Sequence, residues 1–162
     1  IFEFDPVEHI LARVKSDEGM RENGRRKGLP ETSESALTEL YDALGIRIVC
    51  AFLSDVYAMV DRIREDPEFE VLEERDYIKN AKPNGYRSYH MITRSKEGYY
   101  CEIQLRTISM DTWAALEHHL HYKKAKMGNE RLIVGELKRC ADELASTDVS
   151  MQTLRDMIVG ND

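Results

Sequence analysis

The sequence predicts an α+β fold, a mostly antiparallel or mixed sheet of four or five strands with helices packed around it. Three observations carry that prediction. Gly45-Ile46-Arg47-Ile48-Val49-Cys50-Ala51-Phe52 is a β-branched apolar run of strand length. The stretch 99–106 alternates, with Cys101, Ile103 and Leu105 toward one face and Glu102, Gln104 and Arg106 toward the other. Near the end of the chain, Leu137, Leu144, Met151 and Ile158 recur at sevens beside a companion row of Ile133, Cys140 and Leu154, which is helical spacing.

Taken in order, Asp5-Pro6-Val7-Glu8 has the form of a helix start, with Asp5 as N-cap and Pro6 in the first turn. The pattern predicts a helix over 6–26 that stops near Gly28-Leu29-Pro30, its second half weakened by Gly19 and Gly24. A short helix over 34–41 then leads into the 45–52 strand. Arg47 is the anomaly in that strand, because a buried arginine needs an anion or an exit to the edge. Ser54 is placed to cap a helix through about 65, with Val56, Val60 and Ile63 on one stripe and Asp66-Pro67 ending it. Residues 69–77 and 88–93 read as strands. The turn Ser95-Lys96-Glu97-Gly98 closes a hairpin into the 99–106 strand. Ser109 is expected to cap a helix over 110–123 that buries Trp113, Leu116 and Leu120 and carries Ala114, His118 and His121 on a second face. The long C-terminal segment is helical, with a possible break into two helices at Thr147, Asp148 and Ser150.

The 162 residues suit a single domain, 1–162, with a catalytic core over about 6–123 and a C-terminal helical segment over about 130–160 for packing or oligomerisation. No apolar run approaches the length of a membrane span. Cys50, Cys101 and Cys140 are odd in number and lack metal-type spacing, so they read as reduced residues of a cytoplasmic protein. A net charge of −7 argues against nucleic acid as a partner, since that affinity is built from neutralised phosphates. Locally the balance reverses: Arg13, Lys15, Arg21, Arg25, Arg26 and Lys27 outnumber the acids between them. A few convergent cations suit a small polyphosphate, although a solvated helix face would look the same.

The stretch that concentrates chemistry is Lys82-Pro83-Asn84-Gly85-Tyr86-Arg87-Ser88-Tyr89-His90. Pro83, Asn84 and Gly85 signal a turn that delivers Lys82, Asn84, Tyr86, Ser88 and His90 into one place, ahead of Glu102 and Gln104. Together they read as a purine-nucleotide site; the plain alternative is a turn into an aromatic-rich strand. Glu117-His118-His119-Leu120-His121 invites a zinc reading, but neither a metalloprotease spacing nor a third ligand is visible.

Four segments in order resemble the synthetase domain of the RelA/SpoT homologue family, and especially its short members, the small alarmone synthetases. They are Arg13-Val14-Lys15 through Arg26-Lys27-Gly28, the stretch 42–47, the stretch 82–90, and 102–107 running into Trp113-Ala114-Ala115-Leu116-Glu117-His118. The resemblance implies a nucleotidyltransferase-like fold and transfer of the pyrophosphate of ATP to the 3′-hydroxyl of GDP or GTP, leaving AMP. It implies adenine held between Arg13 and Arg47, with Lys15, Arg26 and Lys27 around the donor phosphates; planar guanidinium groups do stack on π-faces. Asp42 and Glu102 are implied as ligands of Mg²⁺ and as the catalytic carboxylates, Glu102 also orienting or deprotonating the attacking hydroxyl. On the acceptor side the resemblance implies Tyr86 stacked on guanine. Lys82, Asn84, Ser88, His90 and Gln104 would surround the phosphates and sugar, and Ala114 would line the base pocket. Small members of the family are similar in forming tetramers through terminal helices, so a homo-oligomer is expected.

The chain departs from the family pattern where Gly19 stands for a usual serine, Asn23 for a usual lysine and Leu44 for a usual alanine. The segment between Thr93 and Glu102 is short, leaving little room for a mobile loop. With no hydrolase segment ahead of it, the chain is expected to make its product without degrading it. Two alternatives stay open: a toxic relative acting on adenine nucleotides or on the 3′ end of tRNA, and a non-catalytic nucleotide-sensing module.

Overall fold

The computed structural model of the chain describes residues 5–29, 43–124 and 128–160, with the side chains of 121–124 and Asp17 left aside. The expected 34–41 helix, Asp42 and the His121 side chain therefore lie outside the described residues. Five strands form one mixed sheet: β1 (Val7–Val14), β2 (Leu44–Cys50), β3 (Phe69–Asp76), β4 (Tyr89–Ser95) and β5 (Tyr100–Thr107). Their order across the sheet is β1-β2-β5-β4-β3, with β2 and β5 parallel and the other pairs antiparallel. Four helices accompany it among the described residues: α1 (Asp17–Lys27), α2 (Leu53–Glu65), α3 (Ile108–Lys124) and α4 (Glu130–Val159).

The expected helix over 6–26 is replaced by β1 and α1. Asp5 does accept a backbone hydrogen bond, but from the Val7 N–H at 3.0 Å, where it starts a strand. The tertiary demand decides the matter: β2 would otherwise expose a row of unpaired backbone groups, and β1 satisfies them in a register running from Val7↔Cys50 to Val14↔Leu44. The helix begins only at its true N-cap, Ser16, whose hydroxyl accepts from Gly19 N at 3.2 Å, and ends as expected at Gly28 with φ +68.

One sheet face carries the core. Ile48, Cys50, Met91, Cys101, Ile103 and Leu105 are buried there with Val56, Val60 and Ile63 of α2. The second cluster is built from Trp113, Leu137 and Ala141, where α3 meets α4 and where the Trp113 indole donates to the Leu137 carbonyl at 2.8 Å. Only Trp113 of the expected α3 stripe is buried; Leu116 and Leu120 are exposed. That helix starts earlier than Ser109, because the Thr107 hydroxyl takes the Met110 N–H at 3.2 Å. α4 is one continuous helix through the expected break. Thr147 and Ser150 turn their hydroxyls back onto the carbonyls of Glu143 and Ser146, and Asp148 is buried against the Thr107 hydroxyl at 2.6 Å.

Candidate active site

Strand period and register put the chemistry on the sheet face opposite the core. Arg13 pairs with Gly45 and Gly45 with Glu102; Arg47 pairs with Gln104, Gln104 with His90, and His90 with Arg75. Because side chains alternate along each strand, these residues share one surface. Two cavities indent it. One, of about 280 Å³, is lined by Leu11, Arg13, Gly45, Arg47, Glu102 and Gln104. The other, of about 330 Å³, is lined by Arg75, Tyr77, Lys82, His90, Ile92 and Glu102, among others. Glu102 belongs to both.

In the first cavity, the lack of a side chain at Gly45 matters. A Cβ there would lie 3.0 Å from Arg13 Nε and 3.2 Å from its Cγ, so glycine lets Arg13 lie flat across β2. Arg47, the anomaly of the apolar run, meets an anion after all: Asp111 Oδ1, 3.7 Å from its Nη1. Burial first, and then the neighbouring charge of Arg106, hold the Arg47 guanidinium below its ordinary pKa. Lys15 lies just beyond β1, with its backbone N–H on the Ala43 carbonyl at 2.8 Å. Arg26 and Lys27 sit exposed in the last turn of α1, Arg26 against Glu22, and neither lines this cavity.

The second cavity is bounded by the loop that links β3 to β4. Asp76 anchors its start by accepting from Ile78 N and Lys79 N, both at 2.9 Å. The expected turn forms at its tip, where the Gly85 N–H meets the Lys82 carbonyl at 2.9 Å and Gly85 takes φ +97. Asn84 Oδ1 accepts from Tyr86 N at 3.0 Å, so its oxygen shapes the loop and only its amide NH₂ faces outward chemistry. Lys82 Nζ lies over the rings of Tyr77 and Tyr86, at 4.8 and 5.1 Å from their centroids. Ser88 does not reach the site. It is fully buried and donates to the Leu105 carbonyl at 3.2 Å, which removes it from the acceptor set. Ala114 packs beside Tyr86 in the Trp113 cluster.

Tyr86, His90 and Glu102 stand in file. Arg106 Nη2 donates to Tyr86 Oη at 2.8 Å, and the same phenol oxygen shares a hydrogen bond with His90 Nε2, also at 2.8 Å. On the other side of the ring, His90 Nδ1 faces Glu102 Oε1 at 3.5 Å. Its pKa is pushed down to about 4, chiefly by burial and then by the charges of Lys82, Arg106 and Arg75, so the ring is neutral at physiological pH. Among the described residues, His118 and His119 of α3 included, no three metal-ligating side chains cluster. Glu102 by itself is a hard oxygen donor at the junction of the cavities, which suits an ion that takes one or two carboxylates and fills the rest of its shell with phosphate and water.

Sequence reasoning missed Glu73, Arg75 and Tyr77 in the acceptor wall, and Arg106 and Asp111 beneath it. Alternation did place Arg106 on the polar face of β5. Its burial under Tyr86 depends on where the loop folds back, which no local pattern reports.

Residues 12–127 match the region found in RelA / SpoT proteins. The chain belongs to the RelA/SpoT family. Among relatives, this RelA/SpoT chain is 38% identical over 147 residues to the GTP pyrophosphokinase YwaC of Bacillus subtilis, covering 85% of this chain and 69% of that one. It is 33% identical over 157 residues to the GTP pyrophosphokinase YjbM of the same organism, covering 93% and 72%. The fold is shared with the small alarmone synthetase 1 of B. subtilis, solved bound to its product pppGpp. That match has a TM-score of 0.77 and 29% identity over 98% of this chain and 82% of that one. The same synthetase solved with AMPCPP matches with a TM-score of 0.70 at 26% identity, covering 96% and 80%.

Proposed function

We propose that this RelA/SpoT chain transfers the pyrophosphate of ATP to the 3′-hydroxyl of GDP or GTP, making ppGpp or pppGpp and AMP. The observation that carries the reading is Glu102, the one side chain common to two adjoining nucleotide-sized cavities. A donor on the Arg13–Arg47 side and an acceptor on the Lys82–His90 side would present their reacting phosphate and hydroxyl on either side of that carboxylate. Such a transfer asks for alignment and charge neutralisation more than for covalent help. The relatives' activity, and the product and the ATP analogue seen in the solved synthetase, support the same two substrates.

Arg13 and Arg47 present guanidinium planes to the adenine, and Arg47 is kept in place by Asp111. Tyr86 offers the guanine a ring whose hydroxyl is tied down, and Lys82 moves from above that ring toward the acceptor phosphates. Mg²⁺, held by Glu102 and, on the sequence resemblance, by Asp42, would neutralise the charge of the transferred group. Glu102 orients or deprotonates the 3′-hydroxyl, and His90 Nδ1 stands 3.5 Å from its near oxygen. Lys15, Arg26 and Lys27 are assigned to the donor phosphates on the resemblance, Lys15 from the end of β1 and Arg26 and Lys27 from the last turn of α1.

We assign the chain to the cytoplasm on its free cysteines, with burial raising Cys50 to about 12 and Cys101 to about 11. Among the described residues no helix is long and apolar enough to cross a membrane. We also assign it a homo-oligomeric state. The first half of the apolar row on α4 is docked at Leu137, whereas Met151, Leu154 and Ile158 are exposed and await a partner.

Incubation with Mg²⁺, labelled ATP and, in turn, GDP, GTP, ADP or deacylated tRNA tests the reading. Label is expected on a guanine nucleotide and is expected to vanish in Glu102→Gln. Transfer to tRNA or ADP alone, or to nothing, would overturn it.

A further inference from the structure

Beneath the acceptor site lies a charge arrangement that the reaction itself does not call for. Arg106 is 4% exposed, at the end of β5. Its guanidinium makes three side-chain hydrogen bonds: Nη2 to Tyr86 Oη at 2.8 Å, Nη2 to Gln104 Oε1 at 3.0 Å, and Nη1 to Asp111 Oδ1 at 3.2 Å. Its centre also lies 5.3 Å from the Tyr86 ring. Asp111, in the first turn of α3, is the only carboxylate among these contacts. The same oxygen that meets Arg106 faces Arg47 Nη1 at 3.7 Å, and Oδ2 lies 3.9 Å from His9 Nε2. One carboxylate thus sits between Arg47 of the first cavity and a cation that grips both Tyr86 of the 82–90 loop and Gln104 of the first cavity.

A buried arginine with a single carboxylate partner is expensive to keep, and a simple core would manage better with an apolar residue of similar volume. Here the cost comes with geometry: Tyr86 can stack on a base only in the plane its hydroxyl allows, and that hydroxyl is fixed by Arg106. Gln104 is aimed by the same nitrogen. We infer that Arg106 and Asp111 are positioning residues of the synthetase, Arg106 setting the Tyr86 ring for the acceptor, and Asp111 tying that setting to Arg47 on the donor side. Neither need touch a nucleotide. The inference rests on the assignment of Tyr86 to the acceptor base.

The arrangement predicts an unequal pattern of effects. Arg106→Met removes the hydrogen bonds to Tyr86 and Gln104 but leaves Asp111 to Arg47, so the acceptor should suffer far more than the donor, which keeps Arg47 and loses only the aim of Gln104. Asp111→Asn keeps the shape and loses the charge that serves both cations, so both substrates should suffer. A purely structural role would weaken everything alike and would not be repaired by Arg106→Lys.

The test combines initial rates in ATP and GDP with equilibrium binding of mant-GDP, read by energy transfer from Trp113. That is the only tryptophan in the chain, and its ring centroid is 6.5 Å from that of Tyr86. In Arg106→Met the GDP KM and the mant-GDP Kd should rise about 10- to 100-fold, as for lost hydrogen bonds to a charged group, with the ATP KM within about twofold. Arg106→Lys should recover part of the loss, and Asp111→Asn should raise both KM values. An acceptor KM unchanged in Arg106→Met, or parallel rises in both KM values that Arg106→Lys does not relieve, would overturn the inference. Should Arg106→Met fail to fold, Asp111→Asn decides, because an unchanged GDP KM there is equally fatal. Failure of the wild-type chain to bind mant-GDP would instead remove the assignment of Tyr86, and this inference with it.

Discussion

Substituting Gly85 by alanine tests whether the acceptor loop is shaped by the helix it rests on. Gly85 has φ +97, which side-chain-bearing residues adopt at a cost of roughly 1–2 kcal/mol. The added Cβ would also stand 2.7 Å from Ala141 Cβ and 3.2 Å from Lys138 Cα, both on α4, where carbon atoms ordinarily rest about 3.5–4.0 Å apart. Forcing such a contact costs about 1–3 kcal/mol, so the two effects together come to about 2–5 kcal/mol. The loop can escape part of that only by lifting from α4, which would break the Arg87–Asp142 ion pair at 2.9 Å and loosen Tyr86 against Trp113. Urea unfolding should therefore show the loss of stability, and the acceptor KM should rise while the ATP KM stays level. Gly135→Ala is the control. It lies on the same helix with open space around the new methyl, and should stabilise by about 0.5–1 kcal/mol. Wild-type stability and an unchanged acceptor KM in Gly85→Ala would refute the idea that α4 seats the loop.

Other outcomes follow from buried charge. Asp148 has its pKa raised by burial, opposed by the hydroxyls of Thr107 and Ser109, so the native state holds its proton more tightly than the unfolded chain does. The sign is then fixed: Asp148 costs stability at neutral pH, and the cost disappears as pH falls toward the unfolded value near 4. Asp148→Asn should gain stability at pH 7 and none at pH 4, and an equal effect at both pH values would contradict this. Arg155 pairs with Asp55 at 2.6 Å, and Asp55 is 2% exposed. Arg155→Met should cost about 3–5 kcal/mol in urea unfolding by stranding that carboxylate, and a loss under about 1 kcal/mol would mean that water reaches it.

Much of the fold could be read from local pattern, because most elements are chosen by the faces they bury. The 45–52 run, the 99–106 alternation and the Ser95–Gly98 turn all appear as strands and a hairpin close to their expected bounds. The first segment could not be read so. Asp5-Pro6 begins a strand as readily as a helix, and the choice falls to the open edge of β2, nearly forty residues away in sequence. The site shows the same division. Arg13, Arg47, Glu102, Gln104 and His90 carry visible signals and share one face of the sheet, whereas Ser88, equally polar in the sequence, is buried on a carbonyl. Arg106 and Asp111 were illegible for a different reason. Their meaning lies in contacts among β5, α3 and the loop ahead of β4, and no spacing within any one of these encodes it.

Glu102 opens onto both cavities, and that fixes an order of events. A donor in one cavity and an acceptor in the other can meet directly across that carboxylate, so the transfer needs no pyrophosphate stored on the chain while one nucleotide leaves and another arrives. Both substrates must be present together. Plots of reciprocal rate against reciprocal substrate should therefore intersect rather than run parallel, and label should not scramble between ATP and AMP until an acceptor is added.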